Sequence, residues 1–537
     1  MLTTRRPGPQ PTERTATIPA PVGMNVTDNA GSLPPGDAVE IVNMIRSQFG
    51  LRSRSGYREW VTGLGDEVRT LIGFQGSIGT EDRLFACLSD GIYNVTASTG
   101  TPAAAEYSFG TADANSGKVI ATGFTKLDGT HALLLCDESN GYIWYDENGD
   151  VWTKPVAGAG AGEIDGADPD DFVFVTIFKK RPWFVQKDSS LAWYLPVDSI
   201  TGTVEPFDFG PHFRHGGTLV GLWSWTGDAG IGIDDHLVAI SSAGDLVVYA
   251  GTDPSSAATF GQVGIWYLGQ VPAGRRICTD FGGELLILSS LGVIPISRLS
   301  TGGGSLVEDS YASRKISPAL GQELTDRGTD YGWDLRIHPE DKTLVIVTPD
   351  AGTSDDREQW ALSTNGQGWA QHLGVPMNCV ESWKGKFYFG DVDGRVCIND
   401  GDVDNNQLTG SSNAVAIEWS VLTGFTDLGT PANKSATMAK PLFITDGTVP
   451  NYAIEARYDY DLSSIGAVPF SAQPGTLWVW GTAIWGSSIW GSGRGTAGQW
   501  RGTSGIGSSV AIALKGSSQA RTTLAHIEVT YVSGGTL

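Results

Sequence analysis

The sequence predicts an all-β chain: a β-propeller of six or seven blades with an additional C-terminal β-domain. Three observations predict it. The 537 residues include 72 Gly and 18 Trp but only 18 % charged residues, a balance that suits short strands and tight turns better than helices. Between about residues 61 and 410 one pattern keeps returning, an apolar strand that enters a Gly/Asp/Asn/Ser turn and leaves along a second strand. After about residue 410 that pattern stops and longer strands replace it.

Composition sets the outer bounds. Aromatics at 10 % argue against a disordered, low-complexity reading of the glycines. The net charge of −23 argues against ordinary nucleic-acid binding, which needs clustered Lys and Arg. It is compatible with a surface that DNA passes without adhering. Cys87, Cys136, Cys278, Cys379 and Cys397 are odd in number, widely spaced and without a CxxC, so reduced core thiols are expected and zinc is not. The first residues lack an apolar signal-peptide core, and no run of 18 apolar residues suggests a membrane span.

Residues 1–22, rich in Pro, Thr and Arg, read as an extended N-terminal arm. Two readings stay open for it: a disordered terminus, or an arm that orders on a neighbouring subunit. An opening segment, 23–60, contains NVTDN, SLPPGDAVEIVNMI and GLRSRSGY, with a short helix or turn expected over Asp37–Ile45.

The propeller region, 61–410, carries six clear hairpins: 83–95, 132–146, 181–195, 236–250, 284–298 and 386–400. A looser copy at 343–363 makes seven. Stretches 117–127, 171–180 and 275–282 precede hairpins and supply further strands. A strand-rich repeat of about 40–50 residues marks propeller blades, which bury their faces only when packed around an axis. A stack of unrelated β-sandwiches is the alternative. In the C-terminal β-domain, 411–537, AIEWSVLTGF and YAIEARYDYDL read as long strands. A Trp/Gly-rich run follows, and SSVAIALKGSS with LAHIEVTYVSGG reads as a terminal hairpin.

Two stretches go beyond fold class. One is the opening segment, where NVTDN, LPPGDAVEIVN and an R-x-GY ending (Arg54, Gly56, Tyr57) follow in order. The other is the closing stretch, with WGTAIWGSSIW, Trp500–Gly507, LKGSS and YVSGG. Together they resemble the propeller-bearing nozzle or hub proteins of short-tailed bacteriophages, also called packaged-DNA stabilisation proteins. The resemblance spans the chain, although its blade repeats are generic. It implies a non-enzymatic virion tail protein, made in the host cytoplasm. It further implies a hexameric ring below the portal–adaptor complex, with tail spikes or fibres docked outside. The lumen would conduct and retain packaged DNA without sequence-specific binding, and a negative wall would let phosphates slide. The alternatives are a carbohydrate-binding propeller adhesin and a tail-associated glycosidase. A lectin should repeat an aromatic-plus-polar set in each blade, and these blades share none.

No catalytic residue, metal site or cofactor is expected. GxSxG, HExxH and Walker A motifs do not occur, and His212 and His215 lie in GPHFRHGG without a nearby Cys. Asp400, Asp402 and Asp404 alternate like the start of a calcium loop, but Asn405 stands where such a loop needs Gly and Ser411 where it needs Glu. From Asp137 to Asp171 ten carboxylates meet one lysine, and Asp165, Asp168, Asp170 and Asp171 are candidates for a channel rim or a solvated loop. Residues 476–537 hold one acid, Glu528, against Arg494, Arg501, Lys515 and Arg521. Trp485, Trp490 and Trp500 with Arg494 and Arg501 are therefore candidate partner-binding residues, as are Arg5 and Arg6 of the arm. Core packing and sugar stacking are the other readings of the Trp run. Because propellers are often sealed by strands from both termini, the two ends of the chain are expected to meet.

Overall fold

The run Ala132–Cys136 is apolar at every position, which suits a strand buried on both faces. In the structure its alternate side chains serve two different interfaces. Leu133 and Leu135 pack with Ile72, Phe74 and Phe85 of the preceding sheet. Ala132, Leu134 and Cys136 pack with Phe172, Val175 and Phe184 of the following one. The same kind of packing joins neighbouring sheets around a ring, so a blade buries its faces against the blades beside it.

The computed structural model describes residues 13–98, 104–226, 235–301, 311–349, 357–366, 368–407, 414–446, 449–466 and 495–534. Innermost strands Thr70–Phe74, Val119–Thr125, Phe172–Phe178, Leu219–Thr226, Cys278–Phe281, Asp334–His338 and Cys379–Trp383 define blades 1 to 7. Six blades have four strands and blade 5 has three. Each expected hairpin forms the two middle strands of a four-stranded blade, or the last two of blade 5. Consecutive blades touch in chain order, and blade 7 touches blade 1.

Blade 7 is completed by Arg58–Val61, which pairs with Val396–Ile398 and seals the ring from the N-terminal side. In blade 5 the outer strand is replaced. After Pro295 the chain turns into a short helix, Ile296–Thr301. Pro295 offers no N–H, the Val293 N–H donates to Ser313 Oγ (2.9 Å), and the Val293 carbonyl accepts from the Ala312 N–H (3.0 Å). No free ladder remains there for a fourth strand.

The second body is a sandwich. One sheet contains Glu13–Pro19, Met44–Ser47, Gly50–Ser53, Lys434–Thr445 and Thr522–Ser533. The other contains Gly23–Met24, Asp37–Val42, Val415–Thr423, Asn451–Tyr458 and Val510–Ser518, and it runs on into blade 6 as one ten-stranded sheet. Trp419 and Tyr452 of the second sheet meet Phe443 of the first, at ring distances of 5.7 and 5.3 Å. A single apolar cluster therefore extends from Ile277 and Leu344 in the propeller to Ile512 and Leu524 in the sandwich.

Three expectations are corrected. Asp37–Val42 is a strand, not a helix or turn: Ala38 and Ile41 are buried, and neighbours on both sides satisfy its backbone. The terminal hairpin does not form. Val510–Ser518 and Thr522–Ser533 lie in opposite sheets: the first pairs with Val415–Thr423 and Asn451–Tyr458, the second with Lys434–Thr445. The described part of the arm, Glu13–Pro19, is not disordered but pairs in register with the last strand of its own chain. The two ends do meet, through that pairing.

Candidate functional site

Propellers place their sites on the axis, and here the axis is crossed by two arginines. Gly274, at φ +113°, turns the chain so that Arg275 and Arg276 enter blade 5 from the centre. Arg275 forms an ion pair with Glu138 on the hairpin turn of blade 2 and donates to the Val220 carbonyl of blade 4. Arg276 pairs with Asp334 of blade 6 at 2.8 Å and with Glu381 of blade 7 at 3.5 Å. It also donates to the carbonyls of Val380 and Leu71, the latter in blade 1. Two adjacent residues thus tie blade 5 to blades 1, 2, 4, 6 and 7.

The electrostatics follow from burial. The Arg276 side chain is 9 % exposed. Burial disfavours its charge, but Asp334 and Glu381 outweigh that cost and the guanidinium stays more basic than usual. Burial raises the Asp334 carboxyl above the ordinary range against the pull of Arg276 and Arg336. Arg276 lines two cavities, one of about 280 Å³ with Arg69, Lys118, Tyr331 and Asp334, and one of about 400 Å³ with Thr122, Thr176, Asp280 and Arg336. Because Arg275 and Arg276 reach across from blade 5 to blades 1, 2, 4, 6 and 7, the axis is divided rather than open. The axial carboxylates Asp334 and Glu381 are held by arginines, an arrangement suited to bracing and poor for a general acid–base pair.

The second polar constellation lies where blades 6 and 7 meet the sandwich. Arg54 is buried and uses all five N–H donors. Nη1 and Nη2 each reach Asp404 at 2.7 Å, and Nε reaches Asn43 Oδ1 at 2.9 Å. The carbonyls of Ser55 (3.0 Å) and Leu373 (3.1 Å) take the remaining two. Arg58 meets Asp400 at 2.8 Å and Arg521 meets Asp402 at 3.6 Å. The alternating aspartates that look like a calcium loop therefore each face an arginine. Among the described residues, no group of His, Cys, Asp and Glu is arranged to hold a metal. Gly56 is required because a Cβ there would sit 2.0 Å from the Val403 carbonyl oxygen, and Tyr57 packs edge-on to Phe389 at 5.3 Å. The R-x-GY motif is a joint between the two bodies.

Beside it, Arg52 pairs with Asp341 at 2.6 Å, and Ser55 Oγ donates to the same carboxylate. Burial works against the Asp341 charge, yet Arg52 and His338 hold the carboxyl well below its usual range. Burial lowers His338, and it lowers His372 to about 3 with help from Arg54. Both imidazoles are neutral near pH 7.

Of the candidate residues read from the sequence, Trp485, Trp490, Arg494, Arg5 and Arg6 lie outside the described residues. Trp500 is 38 % exposed, with Lys440 Nζ 5.7 Å from its ring centre. Arg501 lies beside Met438 and Ala439, and its Nη2 donates to Gln499. Asp165, Asp168, Asp170 and Asp171 share one loop between blades 2 and 3 and line neither axial cavity. Asp168 accepts the Asp170 N–H (3.0 Å) and caps the turn Pro169–Asp171. Asp170 pairs with Lys154 at 2.8 Å, and Asp165 accepts from Thr203 Oγ1 at 3.3 Å. Sequence reasoning missed the Arg275–Arg276 plug. Its signal was present as the paired arginines that open RRICTDFG, a stretch read only as a strand.

No protein-family model matches the chain, and no curated protein is similar to it in sequence. Among solved structures it is similar to the designed protein Ika8 (10 % identity, 64 % of this chain and 99 % of that one, TM-score 0.34). It is also similar to the β-propeller domain of Myceliophteria thermophila Cps50 (Swd1) (12 % identity, 67 % and 98 %, TM-score 0.37). A third is the extracellular domain of the hybrid two component system BT3049 from B. thetaiotaomicron (12 % identity, TM-score 0.40). There the match spans 77 % of this chain and only 56 % of that one. The propeller assignment rests on the strand order described above.

Proposed function

We propose that the chain is a structural, non-enzymatic subunit of a short-tailed bacteriophage tail. In this reading it forms the nozzle or hub ring below the portal–adaptor complex and carries spikes or fibres on its outside. The observation that carries the reading is where the two resemblance-bearing stretches lie. The strands of the opening segment up to Ser53, and LKGSS with the Thr522–Ser533 strand from the closing stretch, lie in one sandwich whose second sheet is continuous with blade 6. A rigid two-body block of this kind suits a building element under load. The divided axis adds a consequence: DNA would pass through a lumen between copies, not through each propeller. Electron microscopy of purified virions, with the chain located by an appended tag, tests this. A closed ring of tagged subunits in the tail is the expected result. Absence of the chain from virions, or glycan hydrolysis abolished by one carboxylate substitution, would overturn the reading.

A further inference from the structure

A pocket of about 690 Å³ opens beside the joint, between blades 6 and 7 and the sandwich. Its wall carries Arg46, Arg52, Arg58, Lys342, Lys386 and Arg521, an unusual density of cations for a chain of net charge −23. Four carboxylates also line it, leaving two cations in excess. The pairing identifies them. Arg52 is matched by Asp341, Arg58 and Lys386 by Asp400 and Glu340, and Arg521 by Asp402. Arg46 reaches only the Ala20 and Pro21 carbonyls, at 3.5 and 3.4 Å. Lys342 is exposed and faces no carboxylate among the described residues. In addition, Arg52 Nη1 is buried without an acceptor. The pocket therefore has unspent donors and unspent positive charge.

The complementary feature is the loop between blades 2 and 3. Asp168, Asp170 and Asp171 lie within four residues on a short capped turn, all exposed, with Lys154 the one cation paired to them. Two carboxylates are left over, matching the two surplus cations. Around the ring this loop is four blade steps from the pocket one way and three the other, so one copy cannot bring the two together. Different patches on nearly opposite sides of a subunit produce a head-to-tail contact, the kind that builds rings.

The geometry points to the pocket as the acceptor for the Asp168–Asp171 turn of a second copy of this chain. The contact rests on reading the chain as a ring subunit and names the surface by which neighbours recognise each other. Electrostatic complementarity of this type sets register and partner choice more than raw affinity.

Charge exchange on the full-length protein tests it. Arg46→Glu with Lys342→Glu reverses the pocket, and Asp170→Lys with Asp171→Lys reverses the turn while sparing the Asp168 cap. By sedimentation velocity at low salt, each reversal should weaken self-association by about tenfold or more, and a chain carrying both should regain most of it. Carbodiimide crosslinking of mixed isotope-labelled copies should join Lys342 of one copy to Asp168 or Asp171 of another, the two carboxylates that Lys154 leaves unpaired, which reads the contact even if a variant misfolds. A monomeric wild type, unchanged association in both reversals, loss without recovery in the combined chain, or absence of the crosslink would overturn the proposal. So would loss of binding to a short DNA duplex by the pocket variant alone, which would mark a nucleic-acid site. A ring that depends on this contact but is missing from virions would refute the tail reading and leave the contact standing. Tail rings indifferent to both reversals would do the opposite.

Discussion

Arg54 and Asp404, 350 positions apart in the chain, meet in a two-pronged ion pair with both N···O distances at 2.7 Å. Arg54 comes from the opening segment and Asp404 from just beyond the last blade, so the pair fastens the sandwich to the closing blade. Removing one partner of such a buried pair typically costs about 3–5 kcal/mol, because the other charge is left without compensation. Arg54→Leu should therefore lower unfolding stability by about that amount, as read from the denaturant midpoint. Asp404→Asn, which keeps acceptors for the guanidinium, should cost less. Equal and small losses would show that the joint is held by apolar packing alone.

The axial plug predicts coupling. Arg276→Met leaves Asp334 and Glu381 to share the half-exposed Arg336 alone, and it should destabilise the propeller by about 3 kcal/mol. Adding Asp334→Asn should recover part of that loss, with an interaction energy of about 0.5–3 kcal/mol in a double-mutant cycle. Strict additivity would mean that Arg276 fills space and does not neutralise.

Stability should fall with acid, beginning well above the carboxylate range. His372 ionises near 6.5 when unfolded and near 3 when folded, because burial and Arg54 oppose its charge. The unfolded chain therefore binds the extra proton between those values, and stability declines as pH falls from about 6.5 towards 3. The slope approaches about 1.4 kcal/mol per pH unit for each such proton. His338 is lowered in the same direction. Asp341, held down by Arg52 and His338, adds a further loss as pH falls through and below the ordinary carboxylate range, where the unfolded chain takes up that proton first. His372→Gln should flatten the upper part of the decline in urea titrations at stepped pH. An unchanged profile in that variant would place the acid sensitivity elsewhere.

Truncation tests the role of the arm. Glu13–Pro19 covers one edge of Thr522–Ser533 through seven register pairs. Deletion of residues 1–22 should speed hydrogen exchange in the last strand and promote aggregation through the bared edge, while the blade hairpins stay protected. Uniform loss of protection would mean that the sandwich and propeller unfold as one unit.

The blade hairpins were legible because a strand buried on both faces needs apolar residues at every position, and a Gly or Asn must mark its turn. HALLLCDESNGYIWYD satisfies both conditions without reference to anything distant. Lys434–Thr445 went unread for the opposite reason. Its inward positions include Ala436 and Ala439, too small to show alternation, and its ladder comes from a strand about ninety residues later. Asp37–Val42 was misread because its partners lie at Gly23–Met24 and at Val415–Thr423. The alternation of Asp400, Asp402 and Asp404 shows in the sequence, but the arginines they face, Arg58, Arg521 and Arg54, come from distant segments and leave no local mark.

By itself, the sequence determined the strand class, the hairpin repeat and the change of pattern after the last blade. These depend on side-chain periodicity and turn chemistry, which act over a few residues. Only the tertiary structure decided which strands share a sheet in the sandwich, that Arg275 and Arg276 cross the axis, and that six pocket cations outnumber their carboxylates. Those facts are set by contacts between segments hundreds of positions apart. A buried charge acquires its role from the partner that the fold brings to it, and no local pattern records that partner.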